Sequence, residues 1–349
     1  MSILVTGGAG YIGSHMVHAL VDAGEPVVVV DNLSTGFVQA LPPHVPLAVG
    51  NIGDSDLLSV VMAEHEVDAV IHFAGSIVVP DSVADPLGYY ANNTSNSRTL
   101  IEAAVKNGVR HFIFSSTAAV YGDPAQVPVT EDTAAQPMSP YGRSKLMTEW
   151  MLQDTSAAHD LRFAALRYFN VAGADPAMRT GQSTPAATHL IKVAVQTALG
   201  LRPGMQVFGT DFATPDGTGV RDYIHVSDLA RAHAEALRYL RDGGRSAIMN
   251  CGYGHGFSVL DVIETVKRVS GVDFKVDMAP RRAGDPARII AASDRIRTTL
   301  GWKPRFDDLE TIVSHALAWE KLLMERKLQT TLQPVDDVAL GRIPDRVSA

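Results

Sequence analysis

Cysteine is almost absent from this chain. A single Cys251 among 349 residues excludes an intrachain disulfide and any metal site built from several thiolates. It points to a reducing, cytoplasmic compartment, where disulfides are rare. Long apolar runs are absent too, and no stretch of about 18 or more such residues suggests a membrane span. The first expected strand starts at about Ser2, so no signal peptide is expected. Basic residues are outnumbered, with 30 Lys and Arg against 38 Asp and Glu and a formal net charge of -8. That balance argues against nucleic acid as the main partner. What is left is a globular composition with enough chain for one large domain or two smaller ones.

What the chain does have is order in its first half. Short apolar strands are expected at 2–6, 27–31, 46–49, 68–72, 111–115 and 162–167, with helices at 11–23, 55–65, 86–107 and 140–157. Such alternation predicts a doubly wound α/β fold: a parallel sheet covered by helices on both faces, with right-handed crossovers. Beyond about residue 170 the pattern loosens. Loops rich in Gly, Pro and Thr span 172–188 and 203–219, and helices are expected at 189–199, 227–241, 258–269, 293–300 and 308–328. Residues 1–170 read as a dinucleotide-binding domain. Residues 171–328 read as a smaller mixed lobe over the carboxyl ends of the strands, where open α/β sheets bind ligands. Elements of the two can interleave. Residues 329–349, weakly periodic and with two prolines, read as a tail.

Gly7, Gly10 and Gly13 lie between Ile3-Leu4-Val5-Thr6 and the first expected helix, with Gly8 also present. Gly7 can turn out of the strand, Gly10 lets a pyrophosphate approach the backbone, and Gly13 lets the helix pack closely. Asp31 ends the second strand, 24 residues after Gly7. A carboxylate there accepts from both adenosine ribose hydroxyls and repels a 2′-phosphate, so NAD is favoured over NADP. Far downstream, Tyr141 and Lys145 stand four residues apart, on one face of a helix. A free phenol, with a pKa near ~10, is a poor base at neutral pH. A nearby ammonium and a positive nicotinamide favour its phenolate, which can take a hydroxyl proton as hydride leaves for the cofactor.

Further motifs follow in order: His72-Phe73-Ala74-Gly75, residues 114–122, Ser139-Pro140-Tyr141-Gly142-Arg143-Ser144-Lys145, Leu166-Arg167-Tyr168-Phe169-Asn170, residues 217–226 and residues 280–285. With residues 6–15 and 30–33 they carry a resemblance over roughly residues 1–320. On these motifs the chain resembles the extended short-chain dehydrogenase/reductase family, and within it the branch that epimerises UDP-hexoses at C4. The resemblance implies a Rossmann sheet, bound NAD, and interconversion of UDP-glucose and UDP-galactose through a transient 4-keto sugar. Tyr141, Lys145 and Thr117 would be catalytic. Thr117 would hold the same sugar oxygen and help relay the proton, and Lys145 would also reach the nicotinamide ribose. NAD would further meet Gly7, Gly10, Tyr11, Ile12, Gly13, Asp31, Asn32, Asn51, Ile52, Phe73, Ala74, Gly75, Asn92, Ser115 and Tyr168. The UDP-sugar would further meet Asn170, His189, Leu190, Val207, Phe208, Arg221, Tyr223, Arg282 and Asp285. Guanidinium groups at Arg221 and Arg282 suit a diphosphate, although arginines also serve in surface salt bridges. Asp285 would accept from the uridine ribose, and Ile289 would wall the sugar pocket. No metal is implied.

Three departures stand out. Members often carry Gly-Asp-Ile, with the Asp on the adenine amino group, where this chain has Gly50-Asn51-Ile52. An amide oxygen can take that role. Ile77 stands where some members have a lysine that reaches the cofactor. Thr188-His189-Leu190 replaces an Asn-Asn-Leu segment, so His189 either substitutes for an asparagine donor or is structural. Rival functions are an epimerase of another UDP-sugar (N-acetylhexosamine, pentose or uronate), a sugar-nucleotide dehydratase, and a non-catalytic NAD-binding protein. Related dehydratases place Asp-Glu after the Thr, where this chain has Ala118-Ala119. Non-catalytic relatives usually lose the Tyr or the Lys. A homodimer is expected, with helices 86–107 and 140–157 pairing in a four-helix bundle. Leu146, Met147, Trp150 and Met151 are either its contacts or monomer core.

Overall fold

A computed structural model describes residues 1–184, 187–282 and 285–332, with side chains up to residue 326. The first half supplies β1 (Ser2–Thr6), β2 (Val27–Asp31), β3 (Leu47–Val49), β4 (Val67–His72), β5 (His111–Thr117) and β6 (Arg162–Tyr168). The second half adds β7 (Asn170–Ala172), β8 (Met205–Phe208), β9 (Val220–Arg221), β10 (Tyr223–His225), β11 (Ala247–Cys251), β12 (Phe257–Ser258), β13 (Val276–Ala279) and β14 (Arg288–Ile289). The helices are α1 (Tyr11–Asp22), α2 (Ser55–Glu64), α3 (Val79–Ala84), α4 (Pro86–Tyr89), α5 (Asn96–Lys106), α6 (Pro140–Ala158), α7 (Leu190–Ala198), α8 (Val226–Arg241), α9 (Val259–Ser270), α10 (Asp294–Leu300) and α11 (Leu309–Leu332).

Seven parallel strands form the central sheet in the order β3-β2-β1-β4-β5-β6-β11. The chain winds outward from β1 in one direction and from β4 in the other. The carboxyl ends of these two strands therefore flank the switch point where ligands bind. Alternate residues of each strand feed two cores. Ile3 and Val5 pack with Met16 of α1 and Leu229 of α8, while Leu4, Val28 and Val30 pack with Leu58 of α2, Leu100 of α5 and Leu152 of α6. Helices on both faces explain why β2 is apolar from Val27 to Val30. The first core continues into the second half through Val195, Val266, Trp302 and Ile312.

Several features differ from the expected elements, the short strands β7–β10 and β12–β14 among them. β11 was not expected, yet it pairs with β6 in the main sheet, with Met249 opposite Leu166. The expected helix 86–107 is helical from α4 through α5, but a π-helical stretch, Tyr90–Ser95, interrupts it, and α3 precedes it. The tail was expected from 329, but α11 continues to Leu332; residues 333–349 lie outside the described residues. Among the described residues no helix is long and apolar enough to cross a membrane.

Candidate active site

The turn after β1 is built on contacts that only glycine permits. Gly7 has φ +69, and a Cβ there would lie 2.6 Å from the backbone nitrogen of Ala74. A Cβ at Gly13 would lie 2.1 Å from the carbonyl oxygen of Gly7. α1 can thus sit directly on the turn. No side chain caps α1 at Gly10, whose added Cβ would meet only the Gly7 oxygen, at 3.3 Å. The outer side of Gly10 is open, and the first-turn N–H groups of Tyr11, Ile12 and Gly13 form the positive end of the helix dipole. The Tyr11 hydroxyl donates to Gly173 O at 2.8 Å, tying this turn to the segment after β7.

Asp31 closes the other side of the turn. Its carboxylate accepts from Ala9 N at 2.9 Å and Leu33 N at 2.8 Å, so its orientation is set by the loops it joins. Asn32 is exposed and accepts from Ser34 N. The Asn51 amide oxygen already accepts from Gly53 N at 2.7 Å and Asn96 Nδ2 at 3.1 Å, beside the buried Ile52. Phe73 N and Ala74 N both donate to Thr6 O, which fixes the end of β4 against β1. A Cβ on Gly75 would come within 3.6 Å of Lys145 Nζ, so this loop passes close over the lysine.

α6 starts where Pro140 takes the first helical position and the Ser139 hydroxyl accepts from Gly142 N. Tyr141 and Lys145 follow, one turn apart and both buried. Lys145 Nζ donates to Ser115 O at 3.0 Å and lies 4.9 Å from the Phe114 ring centre. Burial lowers the lysine to about 8. Burial raises the Tyr141 phenol above its ordinary value, while a hydrogen bond with Thr117 opposes that rise. The expected depression of the phenol by Lys145 is not among the causes of this shift, in which desolvation comes first and the Thr117 hydrogen bond is the opposing cause. Thr117 Oγ1 also accepts from Ala119 N at 3.1 Å. Ser115 Oγ donates to the Tyr168 hydroxyl at 2.7 Å.

The second half supplies the other candidates. Tyr11, Asn170, His189, Leu190 and Tyr223 line a cleft with Gln182, Lys192, Trp319 and Glu320, a lining that does not include Tyr141, Lys145 or Thr117. His189 sits just before α7, its Nδ1 3.3 Å from Gln182 Nε2. Arg221 is half-buried and donates to Val220 O, and among the described residues no carboxylate pairs with it. Burial lowers it, while Tyr223 and Asp285 counter that shift, so the three lie in one electrostatic neighbourhood. Arg282 stacks on Phe208, 3.7 Å from the ring centre. Asp285 is exposed, and Gly284 lies outside the described residues. The Val207 side chain is buried in the core, because β8 turns it inward, which leaves its backbone for a ligand. Ile289 is buried in a cluster with Ala118, Leu146 and Phe169.

The architecture and these motifs agree with the comparisons to known proteins. The sequence pattern of the NAD dependent epimerase/dehydratase family matches residues 3–252. The chain belongs to that family. A UDP-glucose 4-epimerase of Azospirillum brasilense is 60% identical over 321 residues, 92% of each chain. Among solved structures, a UDP-glucose 4-epimerase aligns with TM-score 0.90 at 45% identity, covering 92% of this chain and 98% of that one. The Stenotrophomonas maltophila UDP-glucose-4-epimerase, solved with bound NAD and formylated UDP-arabinopyranose, aligns with TM-score 0.90 at 40% identity, covering 93% and 99%.

Within this epimerase/dehydratase framework one structural contributor was missed. Asn93, buried in the π-helical stretch, accepts from Ser76 N at 2.8 Å and donates to Ser76 O and to Ser144 Oγ. It pins the loop after β4 to α6 beside Lys145. Its neighbour Asn92, assigned to the cofactor, donates to Ser76 Oγ at 2.9 Å. Two adjacent asparagines inside an otherwise helical pattern were the available signal, since π stretches often mark functional sites.

Proposed function

We propose that this protein interconverts UDP-glucose and UDP-galactose by inverting C4, using NAD that stays bound through the cycle. The observation that carries this is the meeting of Tyr141 and Lys145 with the Ser115 to Thr117 strand end, beside a glycine turn that excludes side chains. The turn, the uncapped α1 start and Asp31 fit a dinucleotide. When bound, NAD would supply a hydride acceptor and a positive charge that favours the phenolate. Thr117 and Tyr141 hold the C4 hydroxyl, and Tyr141 Oη accepts its proton and later returns it. Lys145 stays mostly charged below about pH 8 and holds Ser115 O. Arg221 and Arg282 hold the diphosphate end, Phe208 and Asp285 the nucleoside.

The remaining assignments are proposed with it. Residues 1–170 bind the cofactor and 171–328 the UDP-sugar, although β11 and α8 of the second stretch build into the sheet layers of the first. Asn51 is retained as an adenine neighbour. A homodimer forms through α4 to α6, where Leu87 is 78% and Trp150 53% exposed. Leu146 and Met151 pack in the monomer's own cores and are not offered to that interface. The setting is cytoplasmic, in keeping with one buried free thiol, Cys251.

The test is incubation of the purified protein with UDP-glucose, UDP-galactose, their N-acetyl forms, UDP-xylose and UDP-glucuronate, followed by chromatographic separation. The expected result is interconversion of the first pair without added cofactor, with transient near-ultraviolet absorbance from reduced nicotinamide. No conversion of any sugar rejects the proposal.

A further inference from the structure

Tyr141, Lys145 and Glu149 are spaced four residues apart along α6 and stack on one face. All three meet the carboxyl end of β5. Lys145 Nζ bonds Ser115 O, the Tyr141 phenol bonds Thr117, and between these Ser116 Oγ donates to Glu149 Oε1 at 2.5 Å. Ser116 and Arg167 are cross-strand partners on β5 and β6. Arg167 closes the cluster, with Nε 3.0 Å from Glu149 Oε1 and Nη2 2.6 Å from Oε2. Its Nη1 donates to the Tyr121 hydroxyl at 3.1 Å, which donates to Asn250 Oδ1 of β11 at 2.6 Å.

Glu149, Ser116 and Arg167 are 1%, 0% and 5% exposed, so the cluster lies beneath the site, away from the cleft. A buried ion pair contributes little net stability, because desolvation offsets most of its attraction, and apolar side chains of similar size hold layers together as well. Charge-assisted, two-pronged bonds instead set direction and distance. Here they set the height and rotation of α6 against β5.

We propose that Glu149 is a positioning residue: by gripping Ser116 and Arg167 it holds Tyr141 at Thr117 and Lys145 at Ser115. The inference rests on the roles given to Tyr141 and Lys145 above. Proton transfer and hydride transfer both need reacting atoms within a fraction of an ångström of their working geometry, whereas binding of the nucleotide far from C4 does not.

The experiment compares wild type with Ser116→Ala, with Ser116→Thr, and with the double variant Glu149→Met/Arg167→Met, which removes both charges at similar volume. The expected result for Ser116→Ala and the double variant is a folded protein whose kcat on UDP-galactose falls about tenfold or more, with KM changed less than about twofold. Ser116→Thr, which keeps the hydroxyl, restores kcat. A second readout is the ultraviolet phenolate titration of Tyr141 in the holoenzyme, taken as a difference from Tyr141→Phe because Tyr89 and Tyr168 also face that phenol. Loosening the clamp lets water in and lowers the midpoint of this titration. A kcat within about twofold of wild type, or a loss carried by KM alone, overturns the proposal. If the double variant does not fold, Ser116→Ala decides. If wild type epimerises no UDP-sugar, the functional reading fails, and an unmoved phenolate midpoint then separately overturns the positioning role.

Discussion

Lys145 Nζ lies 3.0 Å from the carbonyl oxygen of Ser115, two residues before Thr117 on the same strand. One strand end therefore presents the anchor of the cation and the hydroxyl that meets the phenol. Each partner is buried, so packing holds the arrangement.

Tyr141→Phe removes the proton acceptor and leaves this frame in place. The fold and bound NAD are expected to persist, while kcat falls by ~10²–10⁴, the usual contribution of a general base. Activity within a factor of about three of wild type in a UDP-galactose assay would refute the assignment of Tyr141 as the proton acceptor.

Asp31→Ala should narrow the preference for NAD over NADP, because the charge facing a 2′-phosphate is gone. It also strands Ala9 N, at a stability cost of about 1–2 kcal/mol. The check is titration of cofactor-stripped protein with each dinucleotide. Equal affinities in wild type, or an unchanged ratio in the variant, contradict it.

Lys145→Met gives a pH-dependent stability signature. Burial lowers this lysine from 10.5 to about 8, so below pH 8 the native protein carries a desolvated charge that the unfolded chain carries in water. Between pH 8 and 10.5 the unfolded state binds more protons than the native state, and wild-type stability gains as pH rises. Wild type should therefore gain on Lys145→Met by denaturant titration as pH moves from 7 to 10. A difference between the two proteins that does not change with pH contradicts the argument.

The parts legible in sequence are those encoded by local pattern. Val27-Val28-Val29-Val30 announced a strand buried on both faces, and the glycine spacing announced the turn that contacts open only to glycine now explain. The i, i+4 relation of Tyr141 and Lys145 needed only helix geometry. β11 was missed because Ala247-Ile248-Met249-Asn250-Cys251 lies in the looser second half and carries Asn250, whose amide oxygen accepts from Tyr121, 129 residues away. The Ser116–Glu149 contact and the inward turn of Val207 likewise depend on partners distant in sequence. The rise of the Tyr141 phenol depends on burial, which residue spacing does not report.

Ile289 is expected to limit the sugar pocket. UDP-glucose and UDP-galactose should turn over much better than UDP-N-acetylglucosamine, and Ile289→Gly should narrow the gap. Its burial beside Ala118 and Phe169 means the variant also loses roughly 2–5 kcal/mol of stability. Comparable kcat/KM values for the plain and N-acetylated sugars in wild type would show that Ile289 is not the gate.

Trp150→Glu combined with Leu87→Glu places charge on the exposed apolar face of α4 and α6. The wild type is expected to sediment as a dimer and the double variant as a monomer. A monomeric wild type, or a variant that remains dimeric, rejects this face as the interface.

The pairing of β11 with β6 bears on how the chain is made. Residues 247–251 must leave the ribosome before the edge of β6 at Ala164, Ala165 and Leu166 is covered. A nascent or proteolysed fragment ending near residue 170 would expose an apolar strand edge, open to pairing with other chains. The two halves of the chain are thus one unit of biosynthesis, and expressing the first alone should yield aggregate rather than a free-standing domain.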